Sequence, residues 1–251
     1  MARRQLAGHR PHASPPSDTR LAIRPPMSGR SLESTLKLLT ESYLTQTARW
    51  PAAGRHILAQ FDESTVVVYQ AYRPEIGSYA AAHGRFGASF RLNRMSWIKP
   101  NFLWMMYRSG WGSKPDQQVT LAVRLHRSAF DEILRQAVHS SYVPALYRSP
   151  QEWKDALARS QVRLQWDPDH HPSGAPLVRR AIQLGLSGDI LKHYASEWIV
   201  AIEDISEFVA VQSRHVAERA WGALRTPRED VYPVADPAAA SRWMIDTGAA
   251  S

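Results

Sequence analysis

Phe86-Gly-Ala-Ser-Phe-Arg-Leu-Asn-Arg-Met-Ser-Trp-Ile-Lys-Pro-Asn-Phe-Leu-Trp-Met-Met-Tyr-Arg-Ser-Gly-Trp-Gly112 is the stretch from which the fold is read. It interleaves seven aromatic residues (Phe86, Phe90, Trp97, Phe102, Trp104, Tyr107, Trp111) with the fixed cations Arg91, Arg94, Lys99 and Arg108, and holds no carboxylate. No Asp or Glu occurs from Ile76 through Pro115, where a chain with 23 acids in 251 residues would place between three and four. Such an exclusion fits either a buried core element with a few anchored cations or a pocket for an anionic, planar ligand such as a nucleotide.

Pro100 at a first helical position and Gly110 beyond a last turn bracket a helix, and nearly every residue between them is apolar, so the helix is expected to be buried all round. Arg108 is the exception. A buried guanidinium needs a carboxylate or an anionic ligand, because an unpaired buried charge costs several kcal/mol or more. Glu203 and Asp204, which end the apolar run from Trp198, are the internal candidates. The functional alternative places Arg94 and Lys99 with the helix N-terminus as a positive rim for phosphates, and Trp97 or Tyr107 as the stacking platform for a planar ring. A tryptophan is nonetheless more often core filling than a stacking platform.

Outward from the window, β-branched and aromatic density predicts a strand over Val66–Tyr72, ended by Pro74. A helix follows from Ile76 to His83, stopped by Gly84. Alternation over Val119–Leu125 predicts a half-buried strand, and Ser128 caps a helix to His139. Ser149, Pro150 and Glu152 make a capping box for a helix to Ala158. Val162–Trp166 and Arg179–Leu184 read as strands separated by a turn at 167–174. Ser187 caps a helix to Trp198, Ile199–Ile205 is a strand, and Phe208–Leu224 is a helix. The fold class is α+β, one domain over 55–224 with a mixed or split β-sheet flanked by helices. Residues 31–54 are expected to be an outlying amphipathic helix (Leu32, Leu36, Leu39, Tyr43) and linker, and 225–251 an extended arm. Residues 1–30, rich in Pro, Ser, Ala and Arg, are expected to be a disordered basic tail.

The net charge of +8 is concentrated in that tail, whose six arginines and one acid contribute +5. The body is therefore only weakly basic, and a general nucleic-acid footprint is not demanded. An Arg-rich start is compatible with an organelle transit peptide; the simpler expectations are a tail or a true start at Met27, and a cytoplasmic protein. The absence of cysteine excludes disulfides, thiolate zinc sites and cysteine nucleophiles. Apolar runs such as Trp198–Ile202 are too short to span a bilayer. There is no P-loop or G-x-G-x-x-G. Gly185-Leu-Ser187-Gly188 misses the nucleophile elbow by one residue. Asp167, Asp169, His170 and His171 lie beside prolines in a stretch that reads as a surface turn, so no metal site is expected.

The runs Val68-Tyr-Gln-Ala-Tyr72, Arg94 to Trp111, Val162-Arg-Leu-Gln-Trp-Asp167 and Ile182-Gln-Leu-Gly-Leu-Ser-Gly188 resemble the uncharacterised domain-of-unknown-function family numbered 4291. That family in turn is similar to the ADP-ribosyltransferase superfamily, which implies a split sheet with NAD in the cleft. The superfamily pattern carries an Arg or His on an early strand, where this chain has Gln70 and Tyr72. The resemblance implies Tyr107 or Trp97 in the middle position and Glu203 as the late acid that stabilises the oxocarbenium-like charge. Arg94, Lys99 and Arg108 would hold the pyrophosphate. NAD-dependent ADP-ribosyl transfer is the function so implied. The alternative is an RNA- or DNA-binding module using the same cations and aromatics.

Overall fold

The protein is described from a computed structural model covering residues 37–87, 89–234 and 236–246. Its strands are β1 (Thr40–Ser42), β2 (Leu58–Ala59), β3 (Thr65–Tyr72), β4 (Ser96–Ile98), β5 (Val119–His126), β6 (Ala137–His139), β7 (Val162–His170), β8 (Pro176–Leu186), β9 (Ile199–Asp204), β10 (Arg225–Pro227) and β11 (Asp230–Val231). Its helices are α1 (Tyr43–Thr47), α2 (Pro74–His83), α3 (Phe102–Ser109), α4 (Arg127–Arg135), α5 (Pro150–Arg159), α6 (Gly188–Ala195), α7 (Ser206–Ala217) and α8 (Pro237–Arg242). The α+β class expected from the sequence is present, with mixed sheet pairing as one of the two expected sheet forms.

An antiparallel sheet of order β3-β5-β9 and a second sheet of order β4-β8-β7-β6 carry the fold, and β6–β7 is the parallel pair. The continuous apolar run of β3 reflects burial on both faces: Val66 and Val68 enter one core, Val67 and Tyr69 the other. The larger core lies beneath α2, α4 and α6, and the smaller one surrounds α3. β5 is central to its sheet, so Val119–Leu125 is buried throughout rather than on one face. The two sheets meet where Tyr69 N–H donates to the Lys99 carbonyl at 2.7 Å and Lys99 N–H donates back to Tyr69 at 3.3 Å.

Several expected boundaries move. Helix α3 starts at Phe102, not Pro100, because the Asn101 side chain caps it by accepting from Trp104 N–H at 2.7 Å. Gly110 ends it in the left-handed region, φ 59°. Helix α4 begins after His126 and stops at Arg135, and Ala137–His139 is strand β6. Helix α7 stops at Ala217, earlier than Leu224. Ser187 occupies the N-cap position, but its hydroxyl donates to the Gln161 carbonyl. The stretch read as a surface turn continues β7 to His170, with a register shift at Pro168, because Asp169 is buried on Arg179 in a 2.6 Å ion pair. Ser149 caps α5, its Oγ accepting from Glu152 N–H at 3.1 Å, but the expected capping box is not closed, because the Glu152 carboxylate accepts from Arg148 N–H at 2.7 Å instead of from Ser149 N–H.

The described part of the expected outlying segment, from residue 37, and the expected arm beyond Leu224 both pack into the domain, while Leu32 and Leu36 of the expected helix lie outside the described residues. Thr40–Ser42 is a strand paired with Arg225–Pro227, and Leu38, Tyr43 and Trp50 are buried in the core around α3 while Leu39 faces solvent. Beyond Leu224 the chain buries Thr226, Glu229, Tyr232 and Trp243, and Trp166 Nε1 donates to the Trp243 carbonyl at 2.8 Å. Both segments are held by polar side chains that helical periodicity does not register. Residues 1–36, including the basic tail and Leu32, lie outside the described residues, and among the described residues no helix is long and apolar enough to cross a membrane.

Glu229, 1% exposed, ties these segments together. Its carboxylate accepts from Phe102 N–H at 2.7 Å and Asn101 Nδ2 at 3.1 Å, while its backbone bonds the side chains of Gln46 and Trp50. Burial pushes the Glu229 carboxyl well above the ordinary 4.5, against the stabilising Phe102 N–H. Glu229→Ala is expected to cost about 3 kcal/mol by stranding two buried donors. Wild type should lose stability relative to Glu229→Gln as pH rises above 4.5, because the folded chain retains a proton that the unfolded chain has released. Urea unfolding at about pH 5 and about pH 8 checks both.

Candidate functional site

The bridge between Tyr69 and Lys99 brings strand β4 across β3 and opens a cavity of about 560 Å³ beside it. Gln70, Tyr72, Arg94, Trp97, Lys99 and Arg108 all line this cavity. Six of the eight residues expected in the site are thus brought together. The four runs that carry the family resemblance supply its walls: β3, the stretch from Arg94 into α3, and Gln165 and Gln183 from the paired strands β7 and β8.

Lys99 is 4% exposed and, among the described residues, has neither a side-chain hydrogen bond nor an ion pair. Burial, and then the neighbouring Arg108, push its ammonium pKa down from 10.5 to about 8, while Asp167 acts in the opposite direction. Arg94 and Arg108 are exposed at the cavity and likewise form no ion pair among the described residues. Helix α3 is therefore not buried all round: Phe102–Met106 face the core, and Tyr107 and Arg108 face out. Three positive groups converge on one hollow, and among the described residues Asp116 is the one carboxylate that lines it.

Gln70 and Tyr72 are committed to the protein itself. Gln70 Nε2 donates to Ser96 Oγ at 3.0 Å and to the Trp97 carbonyl at 3.1 Å, its Oε1 accepts from Tyr194 OH, and Tyr72 OH meets Ser96 Oγ at 2.8 Å. They clamp β4 and so position Trp97 and Lys99. Trp97 lies over Gly185, its cross-strand neighbour; a Cβ there would come within 3.0 Å of the indole and 2.6 Å of Met95 Sδ. Gly185 is thus a packing glycine.

Glu203 and Tyr107 are not in this cavity. In the sheet β3-β5-β9, Tyr69 pairs with Ala122 and Ala122 with Glu203, whereas Gln70 pairs with Leu121. Side chains alternate along a strand, so Glu203 projects from the face opposite Gln70. It lines a second pocket with Lys37, Asp204 and Phe208, and accepts from Leu38 N–H at 3.0 Å. No ion pair joins it to Arg108 among the described residues. Tyr107 stacks on His170, 3.5 Å between centroids, and lines a separate pocket with Trp111 and His171. Among the described residues no cluster of three or more His, Asp or Glu could hold a metal ion.

Residues the sequence did not single out are Met95, Ser96, Asp116, Gln117, Gln165 and Gln183. Asp116 ends the acid-free run and sits at φ 60°, rare for a non-glycine residue. Gln165 and Gln183 occupy the polar positions of alternating strands, which ordinarily means only solvent.

Residues 56–232 match the family described as Domain of unknown function (DUF4291). The chain belongs to this family. No curated protein matches it. In this DUF4291 chain the matched residues contain the whole cavity wall, from Gln70 to Gln183, together with Glu229.

Gly185→Ala is expected to lower stability by about 1–3 kcal/mol through overpacking, with part of the penalty absent in a Trp97→Ala background and the Met95 Sδ contact remaining; a double-mutant thermal cycle measures it. Between about pH 8 and pH 10.5 wild-type stability contains a rising contribution from Lys99, since there the unfolded amine holds a proton that the folded one lacks. Lys99→Met is therefore expected to be more stable than wild type by about 2 kcal/mol near neutrality, an advantage that fades across that window in urea titrations.

Proposed function

We propose that the cavity binds a nucleotide or dinucleotide, with its phosphates on Lys99, Arg94 and Arg108 and a planar ring against Trp97. The observation that supports this reading is Lys99, a buried ammonium at a cavity with no carboxylate paired to it. Keeping that amine charged in the fold costs about 3 kcal/mol, from the difference between 10.5 and about 8, through burial first and then the neighbouring Arg108, net of Asp167. A polyanionic ligand restores what the protein leaves unpaired. NAD is the dinucleotide we propose, and ADP-ribosyl transfer the reaction. In that reaction the carboxylate available to an oxocarbenium-like centre is Asp116, in place of Glu203.

Calorimetric titration with NAD, ADP-ribose, ADP and adenosine tests the binding. The phosphorylated members should bind and adenosine should be at least about tenfold weaker, since charge-assisted hydrogen bonds are lost. Lys99→Met or Arg108→Gln should each weaken the phosphorylated ligands by about 10- to 100-fold. Affinity should hold below about pH 8 and fall above it as Lys99 loses its proton. Equal affinity for adenosine and ADP would remove the cations from the reading. For the chemistry, nicotinamide release from NAD should vanish in Asp116→Asn while binding persists; release at the wild-type rate would clear Asp116.

A second reading has its own observation. An open groove is lined by Tyr79, Arg85, Phe90, Arg91 and Asn93, the last being next in the chain to the cavity-lining Arg94, and among the described residues no carboxylate lines it. A single strand of RNA or DNA could lie there with one base in the cavity. Oligonucleotide binding whose logarithmic salt slope drops by about 0.7 per arginine removed supports this second reading.

A further inference from the structure

We propose that Gln165 and Gln183 form the specificity wall of the cavity and select a planar head group bearing an amino group beside a hydrogen-bond acceptor, as in adenine or a primary carboxamide. The inference rests on the nucleotide reading of the same cavity.

Gln165 on β7 and Gln183 on β8 are cross-strand partners, and both line the cavity. Asp167, two residues along β7, takes one hydrogen bond from each: Gln165 Nε2 donates to Oδ1 and Gln183 Nε2 to Oδ2, both at 2.8 Å. A carboxylate only accepts, so it fixes the orientation of both amides. Turning either one over would set oxygen against oxygen. Gln183 Oε1 has no donor among the described residues, and the contact from Ser140 Oγ to Gln165 Oε1 is long, at 3.4 Å. Each amide also keeps a second N–H. The wall therefore offers acceptor beside donor in an order that it cannot reverse. That pattern is complementary to the amino group and ring nitrogen of adenine, which glutamine pairs bidentately, and to a carboxamide for the same reason.

Two ligand pairs isolate the head group. Adenosine and inosine monophosphates share a phosphate, a ribose and a bicyclic ring, and differ in amino against carbonyl. Nicotinamide and nicotinic acid mononucleotides differ in carboxamide against carboxylate. The amino-bearing member of at least one pair should bind wild type about tenfold more tightly, and the pair that discriminates identifies the source as adenine or carboxamide. Asp167→Asn frees the amides to turn over and should bring that ratio to about one. Gln183→Met should do likewise by removing the unpaired acceptor. The ratio is the readout because Asp167 also acts on Lys99, whose effect falls equally on both members of the purine pair. Equal binding within both pairs, or a ratio that survives in both variants, overturns the wall and leaves the nucleotide site standing. If none of the four ligands binds, both readings fall.

Discussion

Two backbone hydrogen bonds between Tyr69 and Lys99 fix the relation of the two sheets, and the rest of the cavity depends on that crossing. β3 is buried on both faces and cannot shift register without exchanging its apolar faces. β4 has only three residues, too few to hold a position alone, so it is set by the bridge, by its register on β8, and by Gln70 and Tyr72 on Ser96. With β4 so fixed, Lys99, the residue that follows it, is held 4% exposed at the cavity.

That placement opposes stability. A lysine held 4% exposed, next to Arg108, destabilises the folded state at neutral pH, whereas the buried Arg179 is matched by Asp169 in the same fold. The contrast separates a cation that is part of the architecture from cations left for something else. A structural arginine carries its own acid, as expected where unpaired burial is costly. Among the described residues, negative charge at the cavity comes from the lining Asp116, which is exposed, and from Asp167 behind the two glutamines. It is on this composition that our proposal of an occupant with several negative charges and a flat ring rests.

The acid-free window and its interleaved cations lead to the cavity because chain proximity does most of the assembly: Arg94, Trp97, Lys99 and Arg108 fall within fifteen residues. Glu203 illustrates the opposite case. Its strand was readable from the apolar run that precedes it, but which face it projects from depends on the pairing of β9 with β5 and of β5 with β3. A one-residue difference in that register would have sent it to the cavity side. Tyr107 likewise sits one helical position from Arg108, and that rotation of about 100° per residue is enough to turn its ring onto His170.

Local sequence therefore determined the elements whose signals are local: the strands β3, β5 and β9, the glycine stops at Gly84 and Gly110, the serine N-cap at Ser149, and the cluster of cations beside tryptophans. Tertiary structure decided everything that needs a partner distant in the chain. It paired Thr40–Ser42 with Arg225–Pro227, buried Glu229 at the start of α3, and placed Gln165 and Gln183 side by side over Asp167. The physical reason is that periodicity records how often a side chain is buried, while hydrogen-bond pairing and sheet register, set by contacts more than a hundred residues apart for Glu229 and Phe102, decide what it is buried against.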